Sequence, residues 1–103
     1  MNETSLAFFS PDAGALHSIG ELAHITQVPR HTIAIYCRWG LLTPVGDPDT
    51  QGWFFDTEAI RVLQRIEYLR HDRGVNLAGI RVVLELAAEV ERLREELRFF
   101  RQF

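Results

Sequence analysis

The stretch from Ser18 to Pro44, SIGELAHITQVPRHTIAIYCRWGLLTP, decides how the rest of the chain is read. Ser18 followed three residues later by Glu21 is a capping box, in which each side chain satisfies a free amide of a first helical turn. Ile19, Leu22, Ala23 and Ile25 supply the stripe that this helix is expected to bury. Thr26 to Pro29 forms a turn, with Val28 placed to plug the gap between two helices. The second helix begins near Pro29, where a missing amide costs nothing, and turns Ile33, Tyr36 and Cys37 inward. Gly40 ends it, and Leu41-Leu42 folds back onto the core before Pro44. Two short helices joined by a tight turn make a helix-turn-helix, whose second helix is presented to a partner.

Working outward, Val45 to Gln51 (VGDPDTQ) is turn chemistry, and Gly52-Trp53-Phe54-Phe55 reads as a short strand. Turn plus strand after a helix-turn-helix is the outline of a wing. Alternation along that strand predicts two of the three aromatics in the core and one exposed. Asp56 or Thr57 caps a third helix running to about Asp72, with Ile60, Leu63, Ile66 and Leu69 inward and Arg61, Arg65, Arg70 and Arg73 on more exposed faces. Gly74 stops it, and Asn76 caps a last helix reaching nearly to Phe103. Gly79 is expected to permit close helix packing there. Val83, Leu86, Val90, Leu93, Leu97 and Phe100 recur at alternating spacings of three and four, the seam of a coiled coil. A helix of about twenty residues spans roughly 30 Å, too long to bury against so small a head, so the seam predicts a second copy as partner.

The expected organisation is a loose N-terminal arm (1–17), a head (18–74) and a dimerising C-terminal helix (75–103). Within the arm Leu6 to Phe9 could form a short strand. The fold class is all-α. Hydrophobic residues make up 47% of the 103, sufficient for a real core. No apolar run approaches the length of a membrane span. The N-terminus does not resemble a secretory signal, and a single Cys37 forms no internal disulfide, so the expected location is cytoplasmic.

Charge placement bears on function. Net charge is −3, and all eleven basic residues are Arg. Residues 1–56 hold two Arg against six acids; residues 57–82 hold five Arg against three acids; the remaining tail is close to neutral. Affinity for DNA comes largely from neutralising phosphates, so a reading head this acidic is poorly equipped for it. Cys37 with four scattered His is a weak metal set, since a tight soft-metal site needs more thiolates. No catalytic triad, phosphate loop or metal spacing appears, and no cofactor or enzymatic activity is expected.

HSIGELAHITQVPRHTIAIYCRWGLLTP, GWFFDTEAIRVLQRIEYLR and GVNLAGIRVVLELAAEVERLREEL, in that order, resemble the MerR superfamily over residues 17 to about 97. The resemblance implies a winged helix-turn-helix and a dimer formed through the C-terminal helix, usually antiparallel. Two branches are similar: the CbpM-type chaperone modulators and the HspR-type heat-shock repressors. The VNLAGI element, Val75 to Ile80, is common to both, and Trp53-Phe54-Phe55-Asp56 leans toward the modulators.

Against the family's DNA-reading pattern R-T-I-R-Y-Y-E-R, this chain carries His31, Thr32, Ile33, Ala34, Ile35, Tyr36, Cys37 and Arg38. Against a wing reading G-Y-R it carries Gly52, Trp53 and Phe54. Three cations that meet DNA in that pattern are absent. The modulator resemblance implies a non-enzymatic protein whose partner is the J-domain of a DnaJ-like co-chaperone, restrained in its cooperation with Hsp70. J-domains present a basic helix, so acids at Asp47, Asp49 and Asp56, together with Trp53, are candidate contacts. The alternative is a DNA-binding regulator using Arg30, His31, Thr32, Arg38, Arg61 and Arg65; the charge pattern disfavours it. A small-ligand sensor is a third class, with a tail short for a sensing domain. Glu89 and Glu96 on one flank of the seam and Arg94 and Arg101 on the other favour a parallel pair, in conflict with the antiparallel arrangement the resemblance implies.

Overall fold

The computed structural model describes residues 15–46 and 52–102. The expected strand at Leu6 to Phe9 and the wing acids Asp47 and Asp49 lie outside them.

Helix α1 (Ile19–Thr26) starts at the expected capping box: the Glu21 amide donates to Ser18 Oγ at 3.1 Å and the Ser18 amide donates to Glu21 Oε1 at 2.8 Å. Gln27 closes it in the left-handed region at φ 61°, with its side-chain amide donating to the His24 carbonyl at 2.7 Å. Val28 is buried between the helices. Helix α2 (Arg30–Arg38) follows, with Pro29 as its N-cap. The Pro29 carbonyl accepts from the Thr32 and Ile33 amides at 3.0 and 3.1 Å. Gly40, at φ +77°, ends α2 in a Schellman motif: the Gly40 amide bonds the Cys37 carbonyl at 3.0 Å and the Leu41 amide bonds the Tyr36 carbonyl at 2.9 Å. That reversal drives Leu41 and Leu42 into the core.

The two strands are short. β1 (His17–Ser18) pairs antiparallel with β2 (Phe54–Phe55), His17 opposite Phe55 and Ser18 opposite Phe54. Val45 bridges Phe54 on the other side, with N–H···O distances of 2.7 and 3.3 Å, which closes the wing. His17, assigned to the loose arm from sequence, is therefore a strand residue. The expected one-exposed aromatic also fails: Phe55 is fully buried, and Trp53 and Phe54 are half-buried. Phe54 lies between two paired neighbours, so neither of its flanks is left to solvent.

Helix α3 (Thr57–Glu67) is capped by Asp56, whose Oδ1 accepts from the Ala59 amide at 3.1 Å. Ala59, Leu63 and Ile66 are buried. The helix then widens into a π-helical turn, Tyr68–Asp72, that the sequence periodicity did not show. Gly74 at φ +67° ends the segment. Helix α4 (Leu77–Arg101) begins at Asn76, whose Oδ1 accepts from the Gly79 amide at 2.8 Å. A Cβ on Gly79 would come within 2.8 Å of Val75 Cγ1 and 3.2 Å of Asn76 Oδ1, so the glycine makes room for the cap and its neighbour rather than for another helix.

One core unites these elements: Leu22, Ile33, Tyr36, Phe55, Leu63, Ile66 and Ile80 are wholly buried within it. Ile25, expected in the buried stripe of α1, is 44% exposed, because it lies off the Ile19–Leu22–Ala23 side of so short a helix. Ile80 is the one wholly buried residue of α4, with Leu77 and Leu84 packed beside it. The seam residues lie about a third of a turn away on the same helix and all are exposed, Val83 least and Phe100 most, at 67%. From Ala88 to Gln102 every residue is exposed.

Candidate functional site

The head offers two surfaces that a partner could meet: the wing edge with the start of α3, and the outer face of α2.

At the wing edge, Leu41, Leu42, Thr43, Ala59 and Val62 line a shallow groove of about 220 Å³, and Asp56 and Glu58 bring two carboxylates to it. Asp56 is half-buried and one of its oxygens is committed to capping α3. Glu58 is exposed and meets Arg61 at 3.2 Å. Trp53 packs partly against the core, leaving only part of its ring to solvent. Asp47 and Asp49 belong to the same wing by sequence but lie outside the described residues.

On the outer face of α2, the Arg30 guanidinium lies over the first turn of α1. A Cβ on Gly20 would stand 2.6 Å from Arg30 Nη2, so a larger residue there would push the end of this flexible side chain aside. Arg30 there lines a groove of about 440 Å³ with His17, Ser18, Glu21, His24 and Ile25. His31 and Arg38 are exposed and Thr32 is half-buried. Of the arginines on the third helix, Arg65 is exposed without an ion-pair partner among the described residues. Arg61 is held by Glu58, and Arg70 is drawn back to α2. Of the candidate DNA contacts, Arg30 lies along α1 and Arg61 is paired with Glu58, while His31, Arg38 and Arg65 are exposed.

Arg70 belongs to a cluster that sequence reasoning missed. The Tyr36 ring is wholly buried and its hydroxyl donates to Glu67 Oε2. Arg70 Nη1 donates to the same hydroxyl at 2.8 Å, with its guanidinium carbon 5.8 Å from the Tyr36 ring centroid. His71 Nε2 lies 3.2 Å from Glu67 Oε1. Burial first, and then the Glu67 carboxylate, push the Tyr36 phenol above its usual range. The hydrogen bond that Arg70 donates to the Tyr36 hydroxyl raises this already basic group further. The cluster ties α2 to the end of α3 and to the π-helical turn, which fixes the angle at which α2 is presented. An inward Tyr in a short helix requires a partner for its hydroxyl, but the partner's identity was not legible from a residue 31 positions away.

Cys37 is half-buried on α2, and burial pushes its thiol up to about 11, where it is a protonated packing group at neutral pH. Among the described residues no three His, Cys, Asp or Glu side chains come together as a metal site. No helix of the described residues is long and apolar enough to cross a membrane.

Along α4 four of the five arginines pair with glutamates of the same helix. Arg81 meets Glu85 at 3.6 Å, Arg92 meets both Glu89 and Glu96, Arg94 meets Glu91 at 3.5 Å, and Arg98 meets Glu95. The Arg92 hydrogen bond holds the Glu89 carboxyl below its usual range.

Comparison with known proteins agrees with this architecture. The profile of the MerR HTH family regulatory proteins matches residues 17–87, from the first strand into the exposed part of α4. Proteins called chaperone modulatory protein CbpM from Salmonella paratyphi A (strain ATCC 9150 / SARB42) and Salmonella newport (strain SL254) are each 41% identical over 63 residues. That alignment covers 61% of this chain and 61% of each relative. A helix-turn-helix, a wing closed on Val45 and Phe54, and a long last helix are thus joined to a family match over most of the chain: it belongs to the MerR HTH family of regulatory proteins.

Proposed function

We propose that the chain restrains a DnaJ-like co-chaperone by docking on its J-domain through the wing edge, as a non-enzymatic regulator that pairs with a second copy along α4. The observation that carries this reading is the groove at the wing edge, where Asp56 and Glu58 flank an apolar floor of Leu41, Leu42 and Val62. A basic helix with apolar residues beside its cations is the natural complement of such a surface, and opposite charges steer encounter and set register. Asp47 and Asp49, next to it in sequence, add to the same sign. The relatives' names support a chaperone-modulating role.

The second copy is supported by the exposed seam from Val83 to Phe100. Intrahelical pairing of the flanking charges eases the conflict over direction in part. Glu89 and Glu96 share Arg92, and Arg94 is paired with Glu91, so an antiparallel partner meets fewer bare like charges, with Arg101 left without an ion pair among the described residues.

DNA binding is the rival reading, favoured by the family match and by the exposed Arg38 and Arg65. Titration calorimetry with the J-domain of the co-chaperone from the same genome separates the two. The expected result is association on the order of micromolar or tighter, weakened by Glu58→Lys, with only weak and strongly salt-dependent binding to duplex DNA. A footprint on a specific operator at physiological salt without J-domain binding would reverse the assignment. His31→Arg combined with Ala34→Arg is expected to raise DNA affinity; no increase would refute the account of those two positions.

A further inference from the structure

The outer face of α2 carries a pattern unlike the wing edge. Ile35 is 38% exposed and Trp39, one helical turn on, is 43% exposed, about 6 Å apart along the axis. Both lie off the Ile33–Tyr36 stripe that faces the core. His31 and Arg38 sit beside them, also exposed. Neither has a hydrogen-bonding or ion-pairing partner among the described residues, and α2 itself contains no acid. The contrast with α4 is direct: there Arg81, Arg92, Arg94 and Arg98 are matched by glutamates of their own helix.

We propose that Ile35 and Trp39, with His31 and Arg38 beside them, form a second docking surface that receives an amphipathic helix of a protein partner bearing carboxylates next to its apolar stripe. Two anchors at i and i+4 match one crossing of a partner helix. Trp and Arg are the residue types that dominate the energy of protein interfaces. The Arg38 guanidinium, without an ion-pair partner among the described residues, specifies the occupant's sign, since an uncompensated charge buried beneath a partner is costly and a carboxylate opposite removes that cost. Duplex DNA would use Arg38 on a phosphate, but a sugar-phosphate backbone gives no return for covering Ile35 and Trp39. This surface shares no lining residue with the wing-edge groove and is opposite to it in polarity, so it extends the proposed J-domain reading without depending on it.

The test is a selection on the intact protein from two displayed libraries of amphipathic helices, identical in randomised apolar positions, one flanked by Glu and one by Lys. The Glu-flanked library is expected to be recovered at least about tenfold over the other, and selected helices to lose about tenfold or more in affinity on Trp39→Ala. Arg38→Glu is expected to reverse the preference toward Lys flanks, a change that a merely structural role of Arg38 would not produce. J-domain binding at the wing edge stays intact in both variants, so failure here and failure of that reading are distinguishable. Equal recovery of the two libraries, selection indifferent to Trp39→Ala, or displacement of the selected helices by a duplex of about twenty base pairs at physiological salt would overturn the proposal.

Discussion

In the head, polar groups are used to complete the fold. Ser18 and Glu21 cap α1, Asp56 caps α3, and Glu67 and Arg70 satisfy the one hydroxyl that the core buries. In the tail, from Ala88 onward, nothing is buried and the charges satisfy one another along the helix surface. A head built this way holds its shape from within, whereas the apolar seam of the tail has no neighbour among the described residues to remove it from water. Ile80 is the joint between the two regimes, a tail residue wholly inside the head's core. The comparison teaches that α4 is divided: its first turns complete the head's core, and the remainder carries an exposed apolar face, the one proposed to meet a second copy.

The largest effect is expected at the joint. Ile80→Ala should cost about 2–5 kcal/mol, measured by urea unfolding, because the cavity opens where α4 meets the other elements. A loss no greater than that of an exposed residue would mean that the head does not need α4. Next comes the seam. Leu86→Asp with Leu93→Asp should weaken the proposed dimer by about a hundredfold or more in light scattering, while the head's unfolding midpoint at low concentration stays put. An unchanged mass would remove the second copy from the account.

Tyr36→Phe is expected to cost about 1–3 kcal/mol, since Glu67 and Arg70 lose the group that both contact. The pH dependence has a definite sign. The phenol's folded-state value lies above its unfolded value, so this contribution is whole below the unfolded value, near 10, and is lost as pH climbs through the folded one. Urea midpoints at rising alkaline pH should fall for the wild type and fall less for Tyr36→Phe. Cys37 bends the curve in the same direction, its thiol raised to about 11, so the comparison is best made in a Cys37→Ala background. The smallest effect belongs to the tail's surface. Arg92→Ala should leave the unfolding midpoint unmoved but let the Glu89 carboxyl titrate at higher pH by NMR, because exposed pairs add little to stability while still shifting each other's titration.

Much of this was legible in residue order. The capping boxes and caps at Ser18, Asp56 and Asn76, the turn at Val28, the stop at Gly40 and the spacing of Leu86, Val90 and Leu93 are decided by neighbours within a few positions, so short-range rules reach them. Three readings went astray for a related reason. The helical stripe turned Ile25 inward, local composition left His17 in the arm, and strand alternation left one of Trp53, Phe54 and Phe55 exposed, but exposure and pairing depend on what lies opposite in the fold. The π-helical turn escaped for a related cause: it adds a residue to the helical repeat without changing residue types, and its hydrogen bonds, such as the Arg73 amide to the Tyr68 carbonyl at 3.2 Å, exist only once the chain is folded.

By itself the sequence determined a helix-turn-helix, a wing, a long seam-bearing helix and an acidic N-terminal half without Lys, because spacing and composition are local quantities. Only the tertiary structure decided which cations are spent and which remain to meet a partner. Arg70 is tied to a hydroxyl 34 residues away, Arg30 lies over Gly20, and Arg61 closes on Glu58, while Arg38, beside Ile35 and Trp39, has no partner among the described residues. The physical reason is that an arginine's availability depends on every carboxylate, hydroxyl and backbone within reach of its long side chain, and the fold sets that neighbourhood.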